Sequence, residues 1–334
     1  MMRFIIQYCT PVFLVSLAIS YLLIKFPLEK LQDRASDRSL HEGIIPRSGG
    51  IAIFIALMCG LVIASADVYS LLSANLMLAI ILICAVSLAD DLFSLSPLLR
   101  LVFQLLIAGF IVLVDKLYFN FGGVLPLWLC QSLTLLGLVW MINLYNFMDG
   151  MDGFASGMAV IAFSSLAMIG YIKGDAGYAE LNALLVAAVL GFGCLNFPPA
   201  RIFMGDIGST LLGLLAGLFS LIGWQRGLYP LWVPALLFSP FWVDATYTVL
   251  KRMARRERFW LPHRSHFYQR LVLSGLSHTQ VVMAEYALMF LASISVLLPV
   301  YTDLGYNQFV PLFWAGGYGV GVVLLERWLA HRKS

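Results

Sequence analysis

Asn143-Leu-Tyr-Asn-Phe-Met-Asp-Gly-Met-Asp-Gly-Phe154 places two carboxylates and two side-chain amides between runs apolar enough to lie in lipid, near 124–142 and 153–172. Charge beside a bilayer is costly and is kept where it meets a partner, an ion or a water-filled cavity. The chain as a whole is 61% hydrophobic and 12% charged, with a mean hydropathy of +0.89. Such a composition cannot hide its apolar surface in a soluble core, so the fold class is an all-α polytopic integral membrane protein. A helix needs roughly 20 apolar residues to cross the hydrocarbon. About 11 such runs are legible, near 4–24, 49–66, 73–89, 98–114, 124–142, 153–172, 181–196, 207–224, 231–250, 278–300 and 309–326. The first lacks a small-residue cleavage site and reads as a retained span. No linker, low-complexity tract or repeat interrupts 1–334, which reads as one integral domain.

Lys and Arg collect in short cytoplasmic loops. One set of alternate loops, about 25–48, 90–97, 143–152, 197–206 and 251–277, together with Arg100 just past the second of them and the C-terminal tail, holds 17 of the 21, leaving Arg3, Lys116, Lys173 and Arg226 for the other side. The N-terminus is therefore expected outside and the C-terminus in the cytoplasm. The net charge of +3 reports topology; no basic and aromatic surface of the nucleic-acid type appears. Cys9, Cys59, Cys84, Cys130 and Cys194 lie in or beside apolar runs without metal or disulfide spacing, and read as small buried hydrophobes.

On this topology Asp90, Asp91, Asp149, Asp152 and Asp206 fall on one face. A single Asp at a helix end caps free amides; five on one face, contributed by three loops, suggest one site. Adjacent carboxylates such as Asp90 and Asp91 repel unless a cation offsets them. A hard ion with oxygen ligands fits, and the absence of clustered Cys or His favours Mg²⁺ or Mn²⁺ over zinc. Asp149-Gly150, Asp152-Gly153 and Gly205-Asp206 set residues without Cβ beside the acids, where backbone approaches a ligand closely. The loop 251–277 adds His263, Arg264 and His266, three donors for phosphate oxygens, while its arginine run Arg252 to Arg258 reads as positive-inside charge or contact with anionic lipid. His41 and Arg47 in the first loop offer a further phosphate contact. Asp244 and Glu285, near the ends of their runs, read as structural, satisfied by snorkelling or an interhelical hydrogen bond.

Taken together, Pro46-Arg-Ser-Gly-Gly50, Asp90-Asp91 with Leu95-Ser96 and Arg100, the 143–154 loop, Asn196 to Pro199, Phe203-Met-Gly-Asp-Ile-Gly-Ser209 and the histidine loop resemble the polyprenyl-phosphate N-acetylhexosamine-1-phosphate transferases of glycosyltransferase family 4. The resemblance covers nearly the whole chain. It is closer to the undecaprenyl-phosphate GlcNAc-1-phosphate transferase branch, which primes O-antigen or other surface glycans, than to the peptidoglycan translocase. His263-Arg-Ser-His266 departs from the common His-Ile-His-His loop. The resemblance implies transfer of a sugar-1-phosphate from a UDP-N-acetylhexosamine to undecaprenyl phosphate at the cytoplasmic face of a bacterial inner membrane, releasing UMP. By similarity Asp206, with Asn146, holds Mg²⁺, and Asp149 stands beside it. Asp90 and Asp91 go to the lipid phosphate. Gly150, Asp152, Asn196 and Phe203 match positions that meet uridine, while His263, Arg264 and His266 grip the pyrophosphate, His266 being the stronger of the two histidines. One-step and two-step mechanisms both remain open, as do the sugar and the oligomeric state, although the family is compatible with a homodimer. A secondary transporter would want polar groups near midplane and towards both faces, and an intramembrane aspartyl protease two acids paired within the bilayer; the acids match neither.

Overall fold

The structure is a computed structural model that describes residues 4–34, 44–120, 122–258, 263–302 and 309–332. Its helices, apart from the single turn Ala66–Tyr69, are α1 (Thr10–Lys25, continuing a π turn from Ile5), α2 (Gly49–Ile63), α3 (Ala74–Phe93), α4 (Pro97–Val114), α5 (Leu127–Met148), α6 (Phe154–Ile172), α7 (Ala176–Asn196), α8 (Gly205–Gln225), α9 (Trp232–Leu237), α10 (Ser239–Ala254), α11 (Phe267–Leu273), α12 (His278–Tyr301) and α13 (Phe309–His331). Helix starts follow local chemistry. The hydroxyls of Ser73 and Ser96 and the carboxylate of Asp175 accept from the backbone N–H groups of Leu76, Leu99 and Tyr178, and Ser277 forms a capping box with Gln280.

Nine of the described helices are long and apolar enough to cross a membrane. The count of about 11 changes at two places. The run 49–66 forms only the 15-residue α2. The run 231–250 is broken at Phe238 into α9 and α10, with Pro240 in the first turn of α10, where its missing N–H costs nothing. The all-α expectation also gains one exception, a two-stranded antiparallel ribbon that pairs Gln32–Arg34 with Ile44–Pro46 in the register Gln32 to Pro46. His41 lies outside the described residues.

α8 is the axis of the bundle, buried without a gap from Ile207 to Gly223 against α5, α3 and α2. α6 and α7 pack on each other, with α1 on α7. At the periphery, α13 buries only Leu329. Its outward Leu, Val and Phe side chains match a hydrocarbon surround. The cysteines are all free; Cys59 and Cys194 face outward, which corrects their expected burial.

Alternate helix directions gather the starts of α2, α6, α8 and α12 and the ends of α3, α5 and α7 at one end. The other end carries its own polar set: Arg226 pairs with Asp175, Ser73 donates to Asp115, and Gln225 Nε2 donates to the Lys116 carbonyl at 3.2 Å. Two polar rims around an apolar belt are what a spanning bundle needs.

Candidate active site

The entrance to α8 is assembled by backbone. Phe203 N donates to the Pro46 carbonyl at 2.7 Å, Gly49 N to that of Phe203 at 2.9 Å and Gly50 N to that of Met204 at 2.7 Å. The turn into the helix needs Gly205, whose φ is +72°. A Cβ on Gly50 would strike the Gly208 backbone nitrogen, whereas one on Gly109 meets only an ordinary contact with Leu135. Gly50→Ala is therefore expected to lose about 1–3 kcal/mol through overpacking, and Gly109→Ala none. Melting temperatures of the two variants in one detergent decide this, and equal values would refute it.

Over this seam lies a cavity of about 280 Å³ lined by Asp33, Arg47, Asn146, Asp149, Gly150, Met151, Asp152, Asn196, Phe203, Gly205, Asp206, Gln269 and His278. A smaller chamber of about 50 Å³ beside it is lined by Asp90, Arg100, Gln104, Asn143, Asn146, Asp206 and apolar neighbours such as Ile83, Val86 and Phe147. Asn146 and Asp206 belong to both, so they form the wall between a polar chamber and a partly apolar one.

Asp90 is anchored: Oδ1 accepts from Leu95 N at 2.8 Å and Oδ2 from Arg100 Nη1 at 2.8 Å. The same guanidinium nitrogen lies 3.5 Å from Asp206 Oδ2. Asp91 differs from its expected place. Its side chain is 1% exposed, lines neither chamber, and accepts from Ile207 N at 3.4 Å. It thus caps the first turn of α8 from a neighbouring helix, where the dipole favours a negative charge. Arg47 Nη2 approaches Asp91 Oδ1 at 3.7 Å. Asp149, just beyond α5, has its carboxyl pushed well above the usual range by desolvation, then by Asp206 and Asp91.

The chamber's other expected residues divide. Asp152 accepts from Ala200 N at 3.0 Å and stands 3.8 Å from His278 Nδ1. Asn196 is spent on the scaffold: Oδ1 accepts from Gly153 N at 3.1 Å and from the Ser156 hydroxyl at 2.9 Å, and Nδ2 donates to the Ile202 carbonyl at 3.0 Å. The histidine loop departs most from expectation. His263, Arg264 and His266 line neither chamber. His266 is 3% exposed, with Nδ1 at 3.3 Å from Asp244. His263 is pushed down to about 4 by burial, then by His266 and Arg252. Asp244 accepts from the backbone N–H of Phe267 at the start of α11; Glu285 makes no side-chain hydrogen bond among the described residues.

Sequence reasoning passed over Asp33, Gln269 and His278, and gave Arg100 no role. Arg100 had a signal, as the lone cation in the short gap after Asp90-Asp91. His278, at the first position of α12, had none beyond its residue type.

Among the described residues no three His, Cys, Asp or Glu side chains converge as a metal cage. Mg²⁺ does not require one, since it is held by one or two carboxylates while phosphate and water complete its shell. Asp206, Asp149 and the Asn146 amide offer oxygen donors on one wall. Three carboxylates, Asp90, Asp91 and Asp206, meet two guanidinium groups, Arg47 and Arg100, and Asp149 adds a fourth carboxyl close to Asp206 and Asp91. The donor set and this excess of negative charge fit a hard dication.

A sequence model of glycosyl transferase family 4 matches residues 73–224. The chain is 33% identical over 275 residues, 80% of this chain and 76% of the other, to a probable undecaprenyl-phosphate N-acetylglucosaminyl 1-phosphate transferase of Bacillus subtilis. It is 31% identical over 75% of its length to the decaprenyl-phosphate N-acetylglucosaminephosphotransferase of Mycobacterium tuberculosis, of which 71% is covered. With the undecaprenyl-phosphate alpha-N-acetylglucosaminyl 1-phosphate transferase of Escherichia coli it shares 28% over 84% of this chain and 78% of the other. The matched span runs from the start of α3 to the end of α8 and carries every carboxylate of the two chambers except Asp33. The chain belongs to glycosyl transferase family 4, among the polyprenyl-phosphate N-acetylhexosamine-1-phosphate transferases.

Proposed function

We propose that the chain transfers an N-acetylhexosamine-1-phosphate from its UDP-sugar to undecaprenyl phosphate on the cytoplasmic side of a bacterial inner membrane, with Mg²⁺ or Mn²⁺, as the priming step of O-antigen or another envelope glycan. The observation that carries this reading is the pair of chambers sharing Asn146 and Asp206. A soluble nucleotide sugar suits the polar chamber, and a lipid phosphate suits the chamber with Ile83, Val86 and Phe147 in its wall. An acceptor phosphate oxygen attacks the sugar-bearing phosphorus, the bond from that phosphorus to the UMP oxygen breaks, and UMP leaves. The product is a pyrophosphate-linked lipid.

Catalysis is then mostly positioning and charge neutralisation. Asp206 and Asn146 would hold the metal, with Asp149 beside them; when bound, it withdraws charge from the pyrophosphate and stabilises the leaving group. Arg47 reaches the polar chamber and Arg100 the other, each able to meet a phosphate oxygen. Asp90 already accepts two hydrogen bonds at 2.8 Å. That favours orienting the acceptor over forming a phosphoryl-enzyme, so we favour the direct route.

Membranes carrying the chain are expected to convert radiolabelled UDP-GlcNAc and undecaprenyl phosphate to a lipid-extractable product only with Mg²⁺ or Mn²⁺ present. Undiminished conversion in EDTA would overturn the metal assignment. A panel of UDP-sugars with mass detection of the lipid product identifies the donor.

A further inference from the structure

A third cavity, of about 390 Å³, lies between the end of α10, α11 and the last turns of α13, away from both chambers. Six cations line it, Lys251, Arg252, Arg255, Arg264, Arg270 and Arg332, against two carboxylates, Glu257 and Glu326. Its walls are fixed. Glu326 takes Arg270 through two bonds, Nη1 to Oε1 at 2.6 Å and Nη2 to Oε2 at 2.9 Å, and Lys251 Nζ at 2.5 Å. Arg252 pairs with Glu257 at 2.8 Å. The two carboxylates are therefore already committed, and the lining keeps a surplus of four positive charges. Arg255 is exposed.

One wall is α13, the outermost of the apolar helices. α13 buries only Leu329, which lines this cavity. At its end the Arg332 guanidinium stacks on Trp328 at 4.4 Å and donates to the Ser274 carbonyl at 2.9 Å, the pairing of an indole with a cation that marks the membrane interface. A phosphate monoanion fits the charge, and the open flank of α13 fits the acyl chains that would carry it. Basic pockets between spanning helices take up acidic headgroups.

We propose that this cavity binds the phosphate headgroup of an acidic bilayer phospholipid, clamping α13 to α10 and α11. The proposal does not depend on the chemistry of the two chambers, and its test reads binding alone. The purified full chain in non-ionic detergent is titrated with phosphatidylglycerol, with phosphatidylcholine and with inorganic phosphate, and bound species are counted by native mass spectrometry. Phosphatidylglycerol is expected to bind at least about tenfold more tightly than phosphatidylcholine. The double variant Arg255→Gln, Arg332→Gln should lose about 30-fold, about fivefold for each cation at the surface. Arg201→Gln, an exposed cation outside the cavity, should stay within about twofold. Equal losses per charge at Arg201 and in the cavity would reduce the effect to general surface attraction and overturn the site. Inorganic phosphate binding as tightly as the lipid would overturn the lipid assignment.

Discussion

Asp206→Asn is expected to lower turnover by about 10³-fold or more while the protein melts at the wild-type temperature or slightly above it. The functional half follows from position. Asp206 stands in both chambers, and metal-derived charge stabilisation is worth several kcal/mol, of which a loss of about 4 kcal/mol is about 10³ in rate. The stability half follows from its neighbours. Asp206 has Asp90 and Asp91 as like-charged neighbours and only a 3.5 Å approach from Arg100 to offset them. Its side chain is 30% exposed, so removing its charge relieves repulsion without opening a cavity. Helix α8 keeps its start, because Asp91 supplies the cap and the Asp206 carbonyl still accepts from Thr210 at 2.7 Å. Turnover measured with saturating UDP-sugar, beside thermal unfolding of the same preparation, checks both halves. A variant with wild-type turnover would remove Asp206 from the chemistry, and a large fall in melting temperature would make its role structural.

The polar residues of this site were legible because lipid makes them conspicuous. Between runs near 124–142 and 153–172, every Asn and Asp stands out, and alternation of spans alone sends 90–91, 143–152 and 206 to one end. Alternation does not say which side of a helix a residue occupies. Asp90 and Asp91 are adjacent in sequence, yet 100° of helical rotation separates a chamber wall from the cap beneath α8. Nor does a histidine in a loop between spans announce whether it faces a ligand or a buried acid. From sequence His266 reads as a phosphate donor, and nothing in the chain between 244 and 266 shows that Asp244 lies beside it. The break at Phe238 was hidden for a related reason: hydropathy sums over a window and does not register a backbone interruption flanked by apolar residues. His278 and Gln269 lie on α12 and α11, whose approach to the polar chamber is a tertiary fact.

Asp244→Ala is expected to cost the protein about 3–5 kcal/mol, the usual effect of removing one member of a buried charged cluster. Its carboxylate is 5% exposed and satisfies several donors at once. Phe267 N donates to Oδ1 at 3.0 Å and to Oδ2 at 2.9 Å, Tyr268 N to Oδ2 at 3.5 Å, and Thr248 Oγ1 to Oδ1 at 3.0 Å. His266 Nδ1 lies within 3.3 Å. One side chain from α10 therefore caps α11 and sets its direction, leaving buried N–H groups unpaired when it is removed. The consequence reaches the polar chamber, because α11 carries Gln269 in the lining. It also carries Tyr268, whose hydroxyl donates to the Phe147 carbonyl at 3.2 Å and stands behind Gly150. Loosening α11 should raise KM for the nucleotide sugar more than it lowers kcat. Asp244→Asn, which keeps one acceptor oxygen, should recover most of the melting temperature and turn over within about tenfold of wild type. A folded Asp244→Asn protein as inactive as Asp206→Asn would instead put this carboxylate in the reaction. The two variants thus separate a residue that aims the chamber wall from one proposed to hold the metal.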